Sequence, residues 1–212
     1  MKPIIYLLVI TGLLLSCSKK KSERKDLELD TNAVIKEKQP EETVLNYREI
    51  VLYENSLDSF TLPFPERSML LPLRQYYNSY SVEAKIGEQD GPDFVYFEIL
   101  RSESPVIFLS FNYKNEYQLE EIIIEDSTAL DQYGVRVGDT YSELKQKRNV
   151  DFENVTNYHV HTYLYTDNSN IYYEISGNLT EAGPDNLEDL VLTEQQLESW
   201  VVDKIIWRIN YQ

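Results

Sequence analysis

Cysteine is nearly absent from this chain: Cys17 stands alone among 212 residues. No disulfide can form within it, so the fold has to rest on its own apolar core. Glycine is scarce, at seven residues. The spacings that cradle phosphate, GxGxxG and GxxxxGK, do not occur, and neither does the Gly-x-Ser-x-Gly elbow of serine hydrolases. Histidine occurs twice, at His159 and His161. Long apolar runs are missing too. Ile4–Leu15 covers twelve residues, short of the roughly 20 that cross a bilayer as a helix.

What is present begins at the N-terminus. Lys2 supplies a short positive start, Ile4–Leu15 an apolar core, and Leu14-Leu15-Ser16-Cys17 a small-residue cleavage site. These are the parts of a secretory signal peptide, and the last four residues match the bacterial lipobox. The expectation is a signal peptide over residues 1–16, cleavage before Cys17, and acylation of Cys17 by diacylglycerol and a third acyl chain. Each buried methylene contributes roughly 0.8 kcal/mol, so several chains hold a protein firmly to a membrane.

Charge divides the chain. Of its 20 basic and 36 acidic side chains, 8 and 5 fall within residues 1–40, which leaves 12 and 31 for Glu41–Gln212. A region so acidic disfavours nucleic acid and anionic head groups as partners, since both need basic surface. Residues 18–39 are highly charged with few apolar positions and read as a flexible tether. Lys19, Lys20, Lys21, Arg24 and Lys25 lie next to the anchor, where basic residues favour an anionic membrane surface. Ser18 is not the aspartate that holds lipoproteins at the inner membrane. The expected location is therefore the outer membrane, facing the periplasm.

The rest reads as short strands. Seventeen tyrosines favour strands and half-buried sites, with the hydroxyl in water; they also suit a surface on which sugars stack. Strands are expected at Arg48–Tyr53, Ser79–Ile86, Phe94–Leu100, Val106–Phe111 and Leu119–Glu125, with a short helix in Glu66–Tyr77 limited by Pro72. Gly134 and Gly138 bracket an expected strand, Val135–Val137. Thr140 and Glu143 have capping-box spacing before a helix at Tyr141–Arg148. His159–Thr166 and Asn170–Ser176 form a hairpin about Asp167-Asn168-Ser169. Thr193–Trp200 should be a short helix, and Val201–Tyr211 a last strand with Ile205, Trp207 and Ile209 on one face.

Three stretches of the second half resemble the family of RpoE-regulated lipoproteins, bacterial envelope proteins of a domain of unknown function. They are Ile123–Leu144, with Gly134-Val135-Arg136-Val137-Gly138 before its helix; Ile171–Gly177, ending in Ser-Gly; and Leu197–Arg208, with Trp200 and Lys204-Ile205-Ile206-Trp207-Arg208. The resemblance covers Ser68–Arg208. It implies an envelope location and a link to envelope stress, with no reaction and no catalytic residues. Members of that family carry a cysteine pair after the helix. This chain has none there, so no disulfide role transfers.

Few constellations carry chemistry. His159 and His161 are two apart on a strand and face one side, a workable pair of metal ligands with Glu174 as a third across the hairpin. Exposed polar pairs on a strand are the commoner meaning, and no metal site is assigned. Among 36 acids, coincidental carboxylate pairs are certain, so a glycosidase cannot be read from them. Trp200 and Trp207 read as packing residues.

The sequence thus predicts one α+β domain at Glu41–Gln212, dominated by an antiparallel β-sheet meander with two or three short helices. It follows the signal peptide (1–16) and the acylated Cys17 with its tether (17–40). The expected function is non-catalytic binding of another envelope component, a protein, by a membrane-tethered module. The alternatives are a periplasmic hydrolase on glycan or peptide and a carrier of an apolar ligand. No catalytic, cofactor or metal residue is assigned; Cys17 is the one expected site of modification.

Overall fold

The computed structural model describes residues 46–87, 93–112, 117–157, 161–178 and 190–209. Cys17, the tether and His159 lie outside them, as does the start of the domain at Glu41. The described residues form one α+β domain with twelve strands and three short helices. Eight strands build one antiparallel sheet in the order β4-β5-β6-β7-β12-β11-β10-β9. They are β4 (Ser81–Gly87), β5 (Phe94–Arg101), β6 (Ser104–Asn112), β7 (Gln118–Ile124), β9 (Glu153–Thr156), β10 (Thr162–Tyr165), β11 (Ile171–Ser176) and β12 (Val201–Arg208). The meander β4 to β7 is followed by a second one, β9 to β12, and the C-terminal strand closes the gap between β7 and β11.

Alternation along each strand decides which face is covered. Phe97 and Ile99, Ile107 and Leu109, Ile122 and Ile124, Ile205 and Trp207, and Ile171 and Tyr173 are all fully or almost fully buried. These residues point to one face, because successive strand side chains alternate. That face is covered by a small sheet, β3-β2-β1-β8, made of β1 (Ile50–Tyr53), β2 (Ser56–Leu57), β3 (Phe60–Thr61) and β8 (Ala129–Asp131). Helices α1 (Glu66–Tyr76), α2 (Tyr141–Arg148) and α3 (Glu194–Leu197) add Leu73, Leu144 and Leu197 to the same core.

Local chemistry accounts for the helix ends. Thr140 and Glu143 form the expected capping box, with the Glu143 N–H donating to the Thr140 Oγ1 and the Thr140 N–H to the Glu143 carboxylate. α2 stops at Asn149, which takes the left-handed conformation at φ 52°, one that asparagine tolerates better than most residues. Thr193 and Gln196 repeat the box before α3.

Two expectations need correction, and two strands went unassigned. Pro72 does not limit α1 but sits inside it. The lost backbone donor is tolerated because Leu73 is fully buried and the last turn closes with Tyr77 N–H donating to Leu73 O at 2.8 Å. Val135–Val137 is not a strand. The N–H groups of Tyr133 and Val135 donate to the Asp131 carboxylate, each at 2.9 Å, so a side chain takes the place of a ladder. The neighbouring Ala129–Asp131, unassigned in the sequence, pairs in parallel with β1 instead. Glu153–Thr156, also unassigned, forms the far edge of the large sheet.

Candidate functional site

The second face of the large sheet is the candidate site, since no described helix or strand packs on it. Its centre is a row of side chains set directly opposite one another: Phe108 on β6, Ile123 on β7, Ile206 on β12 and Tyr172 on β11. On β5 the residue opposite Phe108 is Glu98; Tyr96, two residues away, reaches Phe108 diagonally, its ring centroid 6.5 Å off. Tyr163 prolongs the row on β10, edge-on to Tyr172 at 6.0 Å. The result is an apolar and aromatic stripe across six strands, about 24 Å long at roughly 4.8 Å per strand. Over β7, β12, β11 and β10 the face dips into an open depression of about 630 Å³, lined by Ile123, Tyr163, Tyr165 and Tyr172 among others.

Charge is arranged around this stripe in threes. Lys85 sits against Glu98 and, at 3.7 Å, against Glu83. Lys204 lies 3.4 Å from Glu125 and 3.5 Å from Glu174. Arg208 donates to Glu121 at 2.6 Å, with Glu120 acting on it through space. Lys85 and Lys204 thus each contact two carboxylates, and Arg208 contacts one with the charge of a second acting on it. The hydrogen bond to Glu98 raises Lys85 above its ordinary pKa. Burial works to lower Lys204 and Arg208, yet their carboxylate neighbours raise both. Tyr172 donates to Glu121 at 3.3 Å, and burial pushes its phenol well above the usual range.

His161 meets Glu174 across the hairpin as the sequence suggests, Nδ1 to Oε1 at 2.6 Å. The pair forms a hydrogen bond on the rim of the depression. Among the described residues no group of three His, Cys, Asp or Glu side chains is arranged to hold a metal. Among the described residues, two carboxylates line the depression, Glu121 on β7 and Glu174 on β11. β12 lies between them, and their partners Arg208 and Lys204 are four residues apart on it. That separates the two backbones by about 13 Å along the strands and about 10 Å across them.

Trp200 and Trp207 are buried packing residues. Trp207 donates its indole N–H to Glu54 O at 2.7 Å. The Gly134–Gly138 segment offers no free helix terminus, because Asp139 accepts from Arg136 N–H at 2.7 Å and from Lys147 at 2.6 Å.

One polar cluster under the opposite face escaped the sequence reading. Tyr173 donates to Asp131, and burial raises that carboxyl above its ordinary value while the hydrogen bonds oppose the rise. Arg148 is nearly buried, 3.8 Å below the ring of Tyr133 and 3.8 Å from the Glu54 carboxylate. Glu54 also accepts from Ser169 and from Asn170 N–H, both at 2.7 Å. These contacts tie the turn after β1, the end of α2 and the β10–β11 hairpin together.

A two-layer α+β domain with one packed and one open sheet face is therefore the class of protein defined here. The chain belongs to the DUF1131 family, described as proteins of unknown function, whose model matches residues 73–209. Among solved structures it is similar to the uncharacterized protein yfeY from Escherichia coli. The identity is 20%, the TM-score 0.52, and the match covers 74% of this chain and 99% of that one. At this identity the likeness speaks for the fold alone. No curated protein matches.

Proposed function

We propose that this protein is a lipid-anchored module of the bacterial envelope, held at the outer membrane through acylated Cys17, whose folded domain binds another envelope protein without catalysis. The observation that carries the binding role is the open face of the eight-stranded sheet. Sheet faces are ordinarily covered on at least one side and polar on the other. This one keeps Phe108, Ile123 and Tyr172, each half-buried, in one row with the buried Ile206, and an apolar row with a polar rim marks an interaction surface. The shallow, open form of the depression favours a partner's surface over an enclosed apolar ligand. The lipobox supports the anchor, and the resemblance to stress-regulated lipoproteins supports a link to envelope stress.

The test is site-specific photo-crosslinking in cells. A photoreactive amino acid at Tyr163 or Tyr96 should give one discrete protein adduct, and the same residue at Leu71, exposed on α1, should not. Equal labelling at Leu71, or adducts only with lipid or glycan at the sheet positions, would contradict the proposal.

A further inference from the structure

The open face says more about its partner than that it is a protein. We infer that it takes a cationic amphipathic helix of the partner, laid along the Phe108–Ile123–Ile206–Tyr172 row with basic side chains reaching the carboxylates on either side. The inference rests on the protein-binding reading above and names the partner's chemistry.

Charge complementarity carries it. Lys85 and Lys204 each contact two carboxylates, and Arg208 contacts Glu121 with the charge of Glu120 acting on it. With histidine counted as neutral at pH 7, one carboxylate in each set has no cation of its own and each set retains about one negative charge; in the Lys204 set His161 adds a hydrogen bond to Glu174 but no charge. The sets also flank the apolar row. The Arg208 set lies on one side of it, two residues along the strand from Ile206, and the Lys204 set on the other side, two residues away in the opposite direction. The Lys85 set lies at the β4–β5 end, where Lys85 pairs with Tyr96. An apolar stripe edged by excess acid is the complement of a helix with one apolar and one basic border.

Length agrees as well. A stripe of about 24 Å matches about 16 helical residues at 1.5 Å rise each. Docking of an amphipathic helix by its apolar face is a general mode of peptide recognition. Anionic lipid phosphates and acidic glycans carry the wrong sign for this rim, and a neutral glycan leaves the surplus carboxylates unmatched.

The experiment uses the full-length protein in a neutral maltoside detergent and a fluorescently labelled 16-residue Leu/Lys amphipathic helix. Anisotropy reads the affinity, with detergent alone as the blank. A Leu/Glu helix, a Leu/Lys peptide of scrambled order and a neutral oligosaccharide run in parallel. The Leu/Lys helix should bind, and the scrambled and Leu/Glu peptides should bind at least tenfold more weakly. The triple variant Glu83→Gln, Glu120→Gln, Glu125→Gln removes one carboxylate from each set at exposed or half-exposed positions, where folding is little affected. It should lose roughly tenfold in affinity at 0.1 M salt, as expected for three surface pairs. At 1 M salt, with the Debye length near 3 Å, the difference should vanish.

Equal binding of the Leu/Glu helix, lost in Tyr163→Ser, would overturn the charge inference and leave the face as a protein-docking surface. Binding of the oligosaccharide alone would overturn both the inference and the reading beneath it. An unchanged affinity in the triple variant, or no peptide binding at all, would overturn the inference.

Discussion

Trp200 lies across the backbone of Gly177: a β-carbon on Gly177 would come within 2.2 Å of the indole Cδ1. The two residues close the core where β11 ends and β12 begins, and Trp200 is itself buried. Both fall in the stretches that resemble the envelope lipoproteins, and the contact gives a physical reason for a Ser-Gly strand end and a tryptophan to occur together. Gly177→Ala should force Trp200 aside and cost about 1–3 kcal/mol, the usual range for overpacking. Urea unfolding followed by tryptophan fluorescence measures it; an unchanged midpoint and emission would show that the indole has room to move.

The last strand should be indispensable. β12 is paired on both sides, with β7 and with β11, and it carries Ile205 and Trp207 into the core. Losing one large buried aromatic costs about 3–5 kcal/mol, against a total stability of about 5–15 kcal/mol. Deletion of Ile205–Gln212 should leave no cooperative thermal transition by circular dichroism. A sharp transition in that variant would mean that β7 and β11 can close on each other.

Asp131 sets a pH dependence. Burial raises its native pKa above the ordinary 3.8. Between 3.8 and the raised value the folded state keeps a proton that the unfolded state has released, so stability falls as pH rises through that window. The contribution is fully present below 3.8 and lost above the native value. Relative to Asp131→Asn, the wild-type protein should therefore lose stability on going from pH 3.5 upward and then level off. Tyr173→Phe removes a hydrogen bond that opposes the rise and should extend the window to higher pH. Chemical denaturation across pH 3.5–7 decides it: a difference that grows in favour of the wild type with pH would have the wrong sign.

In the proposed anchor, lipid attachment depends on one thiol. Cys17→Ser should abolish labelling by a palmitate analogue in growing cells and leave the signal peptide uncleaved. Label retained on the variant would place any acyl chain elsewhere.

Much of this fold was legible in the sequence because its signals are local. Alternating apolar runs between turn residues located β4–β7 and the β10–β11 hairpin, and the Thr140–Glu143 spacing located α2. What was missed depends on distant partners. β8 is three residues held by β1, some 80 positions earlier. β9 has weak alternation and is defined by its pairing with β10. Pro72 read as a boundary because local propensity opposes it, while burial of Leu73 overrides that preference. The site was less legible. His161–Glu174 follows from hairpin register and was anticipated. The stripe needs the register of six strands at once, and seventeen tyrosines gave the only hint of it. Arg148, on a helix rich in lysine, reads as a solvated end until Tyr133 and Glu54 are seen to enclose it.

The central claim is that a partner covers the open sheet face in the cell. Hydroxyl-radical footprinting of tyrosines tests it most directly, comparing intact cells with the purified protein. Tyr163, Tyr172 and Tyr96 should be oxidised several-fold more slowly in cells, while Tyr53, exposed on the small sheet, should react at the same rate in both. Equal rates at all four tyrosines would contradict an occupied face.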